Sequence, residues 1–74
     1  MTIDVEIFGQ LLPGVKRRHT LTLERPMLVE EVATILGLDP KDVGLISINS
    51  VQSEMEDSVP PNCRLCFFPF LTGG

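Results

Sequence analysis

The sequence contains no long apolar run and no excess of positive charge, and it has only one histidine. No apolar segment approaches the ~20 residues that cross a bilayer, and Met1 to Asp4 do not have the composition of a signal peptide. We therefore expect a cytoplasmic protein with no membrane partner. The net charge of −4 also disfavours non-specific binding to nucleic acid, because phosphate neutralisation would depend on a local basic patch.

The chain is also too short for a large hydrophobic core, because 74 residues are near the lower limit at which a single domain is stable without disulfides or metals. Such a chain can bury a small core but has no room for a deep, walled active site. We therefore predict that it is not an enzyme on its own. Since no linker, repeat or low-complexity segment interrupts the sequence, we predict one domain over residues 1–69, followed by a flexible tail over residues 70–74.

The first third of the chain shows the period-two alternation of β-strands. Ile3, Val5 and Ile7 alternate with polar neighbours, and a second alternating run extends from His19 to Glu24. Residues 9–16, with a Pro-Gly step at their centre, are typical of a turn. These runs predict an opening hairpin with a long loop.

The period then changes to that of a helix, with apolar residues at i, i+3, i+4 and i+7 from Val29 to Leu36, and Gly37 as its natural end. Residues 38–42 are predicted as a turn with a helical twist. Gly44 to Asn49 is predicted as a strand, a further short strand is an option in the polar stretch after it, and Arg64 to Phe68 form the last strand. Pro69 marks its end, because proline cannot donate to a strand ladder.

This order predicts an α+β fold, with a mixed sheet of four to five strands and one main helix packed across it. A hairpin, one helix and a final strand that returns to the middle of the sheet fit the ubiquitin-like β-grasp.

The two cysteines have the C-x-x-C spacing of a redox pair or of half a zinc site. In a strand, however, Cys63 and Cys66 would point to opposite faces with their Cα atoms ~10 Å apart, whereas a disulfide needs about 7 Å or less. Zinc needs four ligands, and His19 is the only histidine. We favour strand-filling cysteines over the redox and metal alternatives, and we predict no metal site.

Two polar clusters allow a functional and a structural interpretation. The stretch from Lys16 to His19 is either a contact for RNA or phosphate or a solvated turn, and the absence of interleaved aromatic residues favours the turn. Glu54, Glu56 and Asp57 would hold a hard cation or keep a loop in water. They lack the spacing of a calcium loop, which favours the second interpretation.

The end of the sequence is the most informative stretch, since Gly73-Gly74 follow three phenylalanines and a leucine within a few residues. Alternation predicts that one of Phe67 and Phe68 enters the core while the other faces out. Phe70 and Leu71 are expected to leave an exposed apolar patch, which commonly marks a partner surface. Two glycines suit a narrow slot and leave the α-carboxylate of Gly74 unhindered. That carboxylate becomes reactive after attack on the α-phosphate of ATP, which gives an acyl adenylate. A frayed terminus with incidental glycines is the structural alternative.

The stretch "FFPFLTGG", preceded by "ISINSVQSEMEDSV", resembles the C-terminal half of the MoaD/ThiS family of ubiquitin-like sulfur carriers. The segments "VEIFGQLLPG" and "LVEEVATILGL" also fit, and the aromatic pair and proline before Thr72 are most similar to MoaD, the small subunit of molybdopterin synthase. The family's Gly-Asp before the last strand is replaced here by Asn62-Cys63, so the branch of the family stays open.

The resemblance implies a sulfur carrier in molybdenum cofactor biosynthesis that binds no cofactor itself. An E1-like enzyme of the MoeB/ThiF type would use ATP to adenylate Gly74, and a sulfur donor protein would convert the adenylate to a thiocarboxylate. The large subunit of molybdopterin synthase would then receive the sulfur. By position, Gly73 and Thr72 would thread the partner's slot, and the partner-binding residues would be Phe68, Pro69, Phe70 and Leu71.

Three alternatives stay open from the sequence. The acceptor pathway could be that of thiamine or another sulfur compound, as for ThiS. The activated end could instead form isopeptide bonds with lysines, as in a ubiquitin-like protein modifier. A non-covalent binding module with an incidental tail is the third.

Overall fold

The computed structural model describes residues 1–9, 11, 14 and 16–70. The predicted tail residues Leu71, Thr72, Gly73 and Gly74 lie outside the described residues, as do parts of the long hairpin loop. In chain order the elements are the strands β1 (Thr2–Ile7) and β2 (Arg18–Thr22), the helix α1 (Val29–Leu36), the 3-10 turn Pro40–Asp42, and the strands β3 (Val43–Ile48), β4 (Val51–Ser53) and β5 (Arg64–Pro69).

The five strands form one mixed sheet in the order β2-β1-β5-β3-β4. β1 pairs antiparallel with β2 and parallel with β5, while β3 pairs antiparallel with both β4 and β5. The last strand therefore does return to the middle of the sheet, as the element order predicted. Pro69 lies at the end of this central strand, opposite Val43, so its missing N–H costs at most a terminal ladder bond.

Helix α1 has the bounds that its periodicity predicted, and its N-terminus is closed by an acidic side chain and by a loop. The Glu31 carboxylate accepts a hydrogen bond of 3.1 Å from the Leu28 N–H. The N–H groups of Val29 and Glu30 donate to the carbonyls of Asp57 and Met55 at 2.9 and 3.0 Å. These bonds satisfy groups that have no partner inside the helix, so the loop before β5 anchors the start of α1.

The β3–β4 hairpin turns through Asn49 and Ser50, both with positive φ, which is the geometry of a type I′ turn. The Asn49 side chain also accepts a hydrogen bond of 2.9 Å from the Arg64 N–H, and its own N–H donates to the Arg64 carbonyl. The further short strand that the sequence allowed is thus β4, and the turn that leads into it is hydrogen-bonded to the start of β5.

The core lies between α1 and one face of the sheet. Alternate residues of β1 and β5 enter it together with the inner side of α1. Phe67 is fully buried and Phe68 is only partly buried, which confirms that the two neighbours point to opposite faces. Over the described residues, no helix has both the length and the apolar character that crossing a bilayer requires.

Both cysteines are buried free thiols, Cys63 just before β5 and Cys66 within it. Burial raises the pKa of the Cys63 thiol, which disfavours the reactive thiolate. Within the part of the chain that the structure describes, no three His, Cys, Asp or Glu side chains are grouped so that they could hold a metal ion.

Candidate partner-binding surface

The open face, defined as the face of the sheet directed away from α1, contains a buried carboxylate that strand alternation did not predict. Glu6 is the next-to-last residue of β1 and lies on this face, yet it is only 4% exposed. Arg64 donates a hydrogen bond to its Oε1, while the Nε atoms of Arg17 and Arg18 lie 3.0 and 3.9 Å from its Oε2. Half of the chain's six lysines and arginines thus converge on one carboxylate.

These cations hold the pKa of Glu6 below its ordinary value of 4.5, chiefly through the hydrogen bond from Arg64 and then through the charges of all three arginines. Glu6 is therefore ionised at neutral pH. With Asp4 it opposes three arginines, so the open face has an excess of positive charge although the whole chain is acidic.

Beside this cluster, two aromatic rings from opposite ends of the sequence stack face to face. Phe8, just after β1, and Phe68 of β5 have ring centroids 4.5 Å apart and planes inclined by 8°. The guanidinium of Arg17 lies over the Phe8 ring, 4.3 Å from its centroid, at cation–π distance. Arg17 is thus not simply solvated in a turn, because it joins the buried carboxylate to the aromatic pair.

The aromatic pair is extended by an exposed leucine. Leu45 of β3 is the register partner of Phe68, so the two share the open face, and Leu45 is 42% exposed. We name Phe8, Leu45 and Phe68 the apolar patch. Phe70, the first residue after β5, is 57% exposed, which agrees with the expectation that apolar surface remains beyond the strand.

Of the predicted site residues, Phe68, Pro69 and Phe70 lie together at the end of the central strand. Leu71, Thr72, Gly73 and Gly74 lie outside the described residues, so their assigned roles stay predictions. Sequence reasoning missed Phe8, Leu45, Glu6 and Arg64, because strand alternation indicates a face but not which strands are neighbours on it. It favoured a solvated turn for the stretch that contains Arg17 and Arg18, which the structure instead places against Glu6.

A shallow polar pocket of about 360 Å³ adjoins Glu6, and it is lined by Asp4, Val5, Glu6, Arg18, His19, Thr20 and Arg64. The Nε2 of His19 lies 2.7 Å from the Lys16 carbonyl oxygen, and the Thr20 hydroxyl donates to Asp4 at 3.3 Å. The ring is therefore held by a backbone carbonyl rather than placed against a nucleophile. The basic stretch contributes to this ion-paired surface, and no described neighbour makes His19 a catalytic base.

The acidic cluster before β5 serves the loop that anchors α1. The Asp57 carboxylate accepts hydrogen bonds from the Ser53 hydroxyl at 2.7 Å and from the Glu54 N–H at 2.9 Å. These bonds lower the pKa of Asp57, so it stays ionised and keeps the loop in shape. This geometry supports the structural interpretation of the cluster.

Comparison with solved structures identifies the architecture. The crystal structure of SAMP1 from Haloferax volcanii matches with a TM-score of 0.75 and 15% sequence identity, over 100% of both chains. The chain has a ubiquitin-like β-grasp fold. No family model and no curated protein matches the sequence. In this β-grasp, the apolar patch and its arginines occupy the open face of the sheet, beside the end of β5.

Proposed function

We propose that this β-grasp protein is a sulfur carrier whose C-terminal glycine is adenylated and then converted to a thiocarboxylate. The observation that carries the proposal is the position of the exposed apolar patch beside the point where the chain leaves β5 toward Gly73-Gly74. A carrier needs a surface for its activating enzyme and a terminal carboxylate within reach of that surface. The apolar patch lies here at the end of the sheet from which the chain continues, after Phe70, toward Gly74.

The reach of the last residues supports this arrangement. From Phe70, the remaining four residues span at most ~14 Å at ~3.4 Å per residue. An activating enzyme that binds the apolar patch must therefore place its nucleotide within that distance of the end of β5. The folded domain then serves to deliver the carboxylate, since no described residue is needed for the chemistry.

The partner surface that fits is an apolar hollow rimmed by carboxylates. Phe8, Leu45 and Phe68 supply apolar area, and Arg17 and Arg64 are more than half exposed while they contact Glu6. Arginines beside stacked aromatic rings are typical of the residues that dominate binding energy at interfaces. Charge complementarity of this kind raises the association rate and selects partners.

The reaction on the terminal carboxylate balances without a cofactor bound to the carrier. A carboxylate oxygen of Gly74 attacks the α-phosphate of ATP, and pyrophosphate leaves. A persulfide of the donor protein then attacks the carbonyl carbon and AMP leaves. A second thiol cleaves the resulting S–S bond, which releases the thiocarboxylate and leaves the donor as a disulfide. The resemblance to MoaD makes a pyranopterin precursor of molybdenum cofactor our proposed acceptor.

Incubation of the protein with an E1-like enzyme of the MoeB/ThiF type and ATP tests the proposal. We expect ATP–pyrophosphate exchange that depends on the carrier, and with a sulfur donor we expect the mass gain of one oxygen-to-sulfur replacement at Gly74. Deletion of Gly74 should abolish both signals. Adding the large subunit of molybdopterin synthase and the precursor should then return the carrier to its original mass.

A matched pair of variants tests the surface. Leu45→Ala removes part of the apolar patch, whereas Ile35→Ala removes a similar exposed side chain from α1, on the other side of the sheet. Leu45→Ala should weaken binding to the activating enzyme about tenfold, equivalent to ~1.4 kcal/mol, and Ile35→Ala should not. Equal affinities for both variants would contradict the assigned surface. Lysine conjugates in cells without any thiocarboxylate would instead favour a protein modifier.

A further inference from the structure

The last described residues, Pro69 and Phe70, lie so close to two glycines that a side chain at either glycine would not fit. A Cβ built on Gly9 would lie 2.7 Å from Cγ of Pro69 and 3.1 Å from its Cδ. A Cβ built on Gly44 would lie 2.7 Å from Cα of Phe70, 2.8 Å from the Pro69 carbonyl oxygen and 2.9 Å from the Phe70 nitrogen. One glycine thus contacts the proline ring, and the other contacts the backbone that leads out of β5.

Gly44 occupies an irregular position in the sheet. β3 pairs with β5 through Val43 opposite Pro69 and through Leu45 opposite Phe68, so Gly44 is an extra residue between two consecutive partners. A bulge of this kind bends its strand and changes the direction of what it contacts. The φ of Gly44 is not positive, so close approach of the Pro69–Phe70 backbone is the reason that a side chain does not fit here.

We propose that Gly9 and Gly44 are positioning residues that set the direction in which the chain leaves β5 and therefore where the Gly74 carboxylate is presented. This inference rests on the proposed carrier function. Neither glycine belongs to the apolar patch, and neither supplies a side chain to a partner. They act through Pro69 and Phe70, whose backbone is the origin of the four-residue reach toward the activating enzyme.

The contact distances give the size of the expected displacement. With alanine at position 44, the Phe70 backbone must move by about 0.7 Å to pass from 2.7 Å to an ordinary contact of 3.4 Å. A misplacement of ~1 Å that originates far from the reacting atoms can cost about 10²-fold in rate, so for this smaller shift at Phe70 we expect a loss of about tenfold in kcat for adenylation. Binding should persist because Phe8 and Phe68 stay in place. A split between kcat and affinity is therefore the signature of a positioning role.

The test uses the full-length chain with the substitutions Gly44→Ala, Gly9→Ala and Gly37→Ala. Gly37 is the matched control for Gly9, because both have positive φ but a Cβ at Gly37 would meet nothing within 4 Å. The measurements are thermal unfolding, the Kd for the activating enzyme, and kcat for ATP–pyrophosphate exchange at saturating carrier. Gly44→Ala and Gly9→Ala should lower kcat about tenfold with Kd changed less than about twofold, whereas Gly37→Ala should lower only the Tm.

A rescue variant separates the contact from backbone strain. Pro69→Ala removes the Cγ and Cδ atoms that a side chain at position 9 would meet. The loss of kcat in the double variant Gly9→Ala/Pro69→Ala should therefore be smaller than the product of the losses in the two single variants. Strictly multiplicative losses would overturn the proposed contact at Gly9. This variant also keeps the inference testable if Gly44→Ala does not fold.

A structural readout separates failure of this inference from failure of the carrier function. Residual dipolar couplings of the Phe70 amide should change in Gly44→Ala and stay unchanged in Gly37→Ala, whether or not any enzyme adenylates the protein. Unchanged couplings in Gly44→Ala, or a kcat within about twofold of the unsubstituted protein, would overturn the positioning role. Absence of adenylation of the unsubstituted protein would instead count against the proposed function alone.

Discussion

Two adjacent phenylalanines on β5 provide a matched test of how this sheet separates stability from recognition. Phe67 has no exposed surface and packs in the core, whereas Phe68 stacks on Phe8 on the open face. We expect Phe67→Ala to reduce the free energy of unfolding by ~3–5 kcal/mol, the usual cost of removing a buried aromatic side chain. Phe68→Ala loses the stacked pair and part of its burial, at a cost of ~1–2 kcal/mol.

The size of the protein makes this difference decisive. A domain of 74 residues has a total stability of ~4–11 kcal/mol, so Phe67→Ala removes a large share of it while Phe68→Ala removes a small one. For a domain of this length, each kcal/mol lowers the Tm by about 4–8 °C. Phe67→Leu, which keeps an apolar side chain in the core, serves as a milder variant if Phe67→Ala is unfolded at room temperature.

The assay combines urea unfolding, followed by circular dichroism, with calorimetric titration of the activating enzyme. Phe68→Ala should weaken binding by ~1.4–2 kcal/mol, or about 10- to 30-fold, and Phe67→Leu should bind normally wherever it is folded. Equal losses of stability from alanine at both positions would refute the assignment of opposite faces. Unchanged affinity of Phe68→Ala would refute the apolar patch as the partner surface.

Three further outcomes follow from the geometry. Since the pKa of Glu6 is lowered on folding, its ionic contribution to stability is complete above pH ~4.5 and is lost as the pH falls through the lowered value. Glu6→Gln should therefore lower the free energy of unfolding at pH 7, and the difference from the unsubstituted protein should become smaller as the pH falls. A difference that does not change with pH would contradict this. Ser50→Gly should raise the free energy of unfolding, measured with urea, by ~0.5–1 kcal/mol, because glycine suits the positive φ at this position. A lower free energy of unfolding would exclude a type I′ turn at Asn49 and Ser50. Cys63 should resist iodoacetamide in the folded state and react on unfolding, as mass spectrometry of timed samples would show; rapid labelling of the native protein would contradict its burial.

The order and type of the helix and the main strands were predictable, because they follow from the local periodicity of apolar residues. The switch from period two to period 3.6 and back placed α1 and the main strands to within a residue or two, and the element order led to the β-grasp arrangement. The opposite orientations of Phe67 and Phe68 follow from strand geometry alone. The spacing of Cys63 and Cys66 argued against a disulfide for the same reason, and both are free thiols.

The sequence by itself thus determined the helix and the main strands, and it determined that neighbouring residues of a strand, such as Phe67 and Phe68, face opposite sides of the sheet. Only the tertiary structure decided that Glu6 is buried under three arginines, that Arg17 covers Phe8, and that Gly9 and Gly44 approach the end of β5. The physical reason is that these contacts join the first strands to the last, as Glu6 and Arg64 do across 58 positions. Periodicity specifies the face of one strand, whereas a surface is built by neighbours that only sheet pairing brings together.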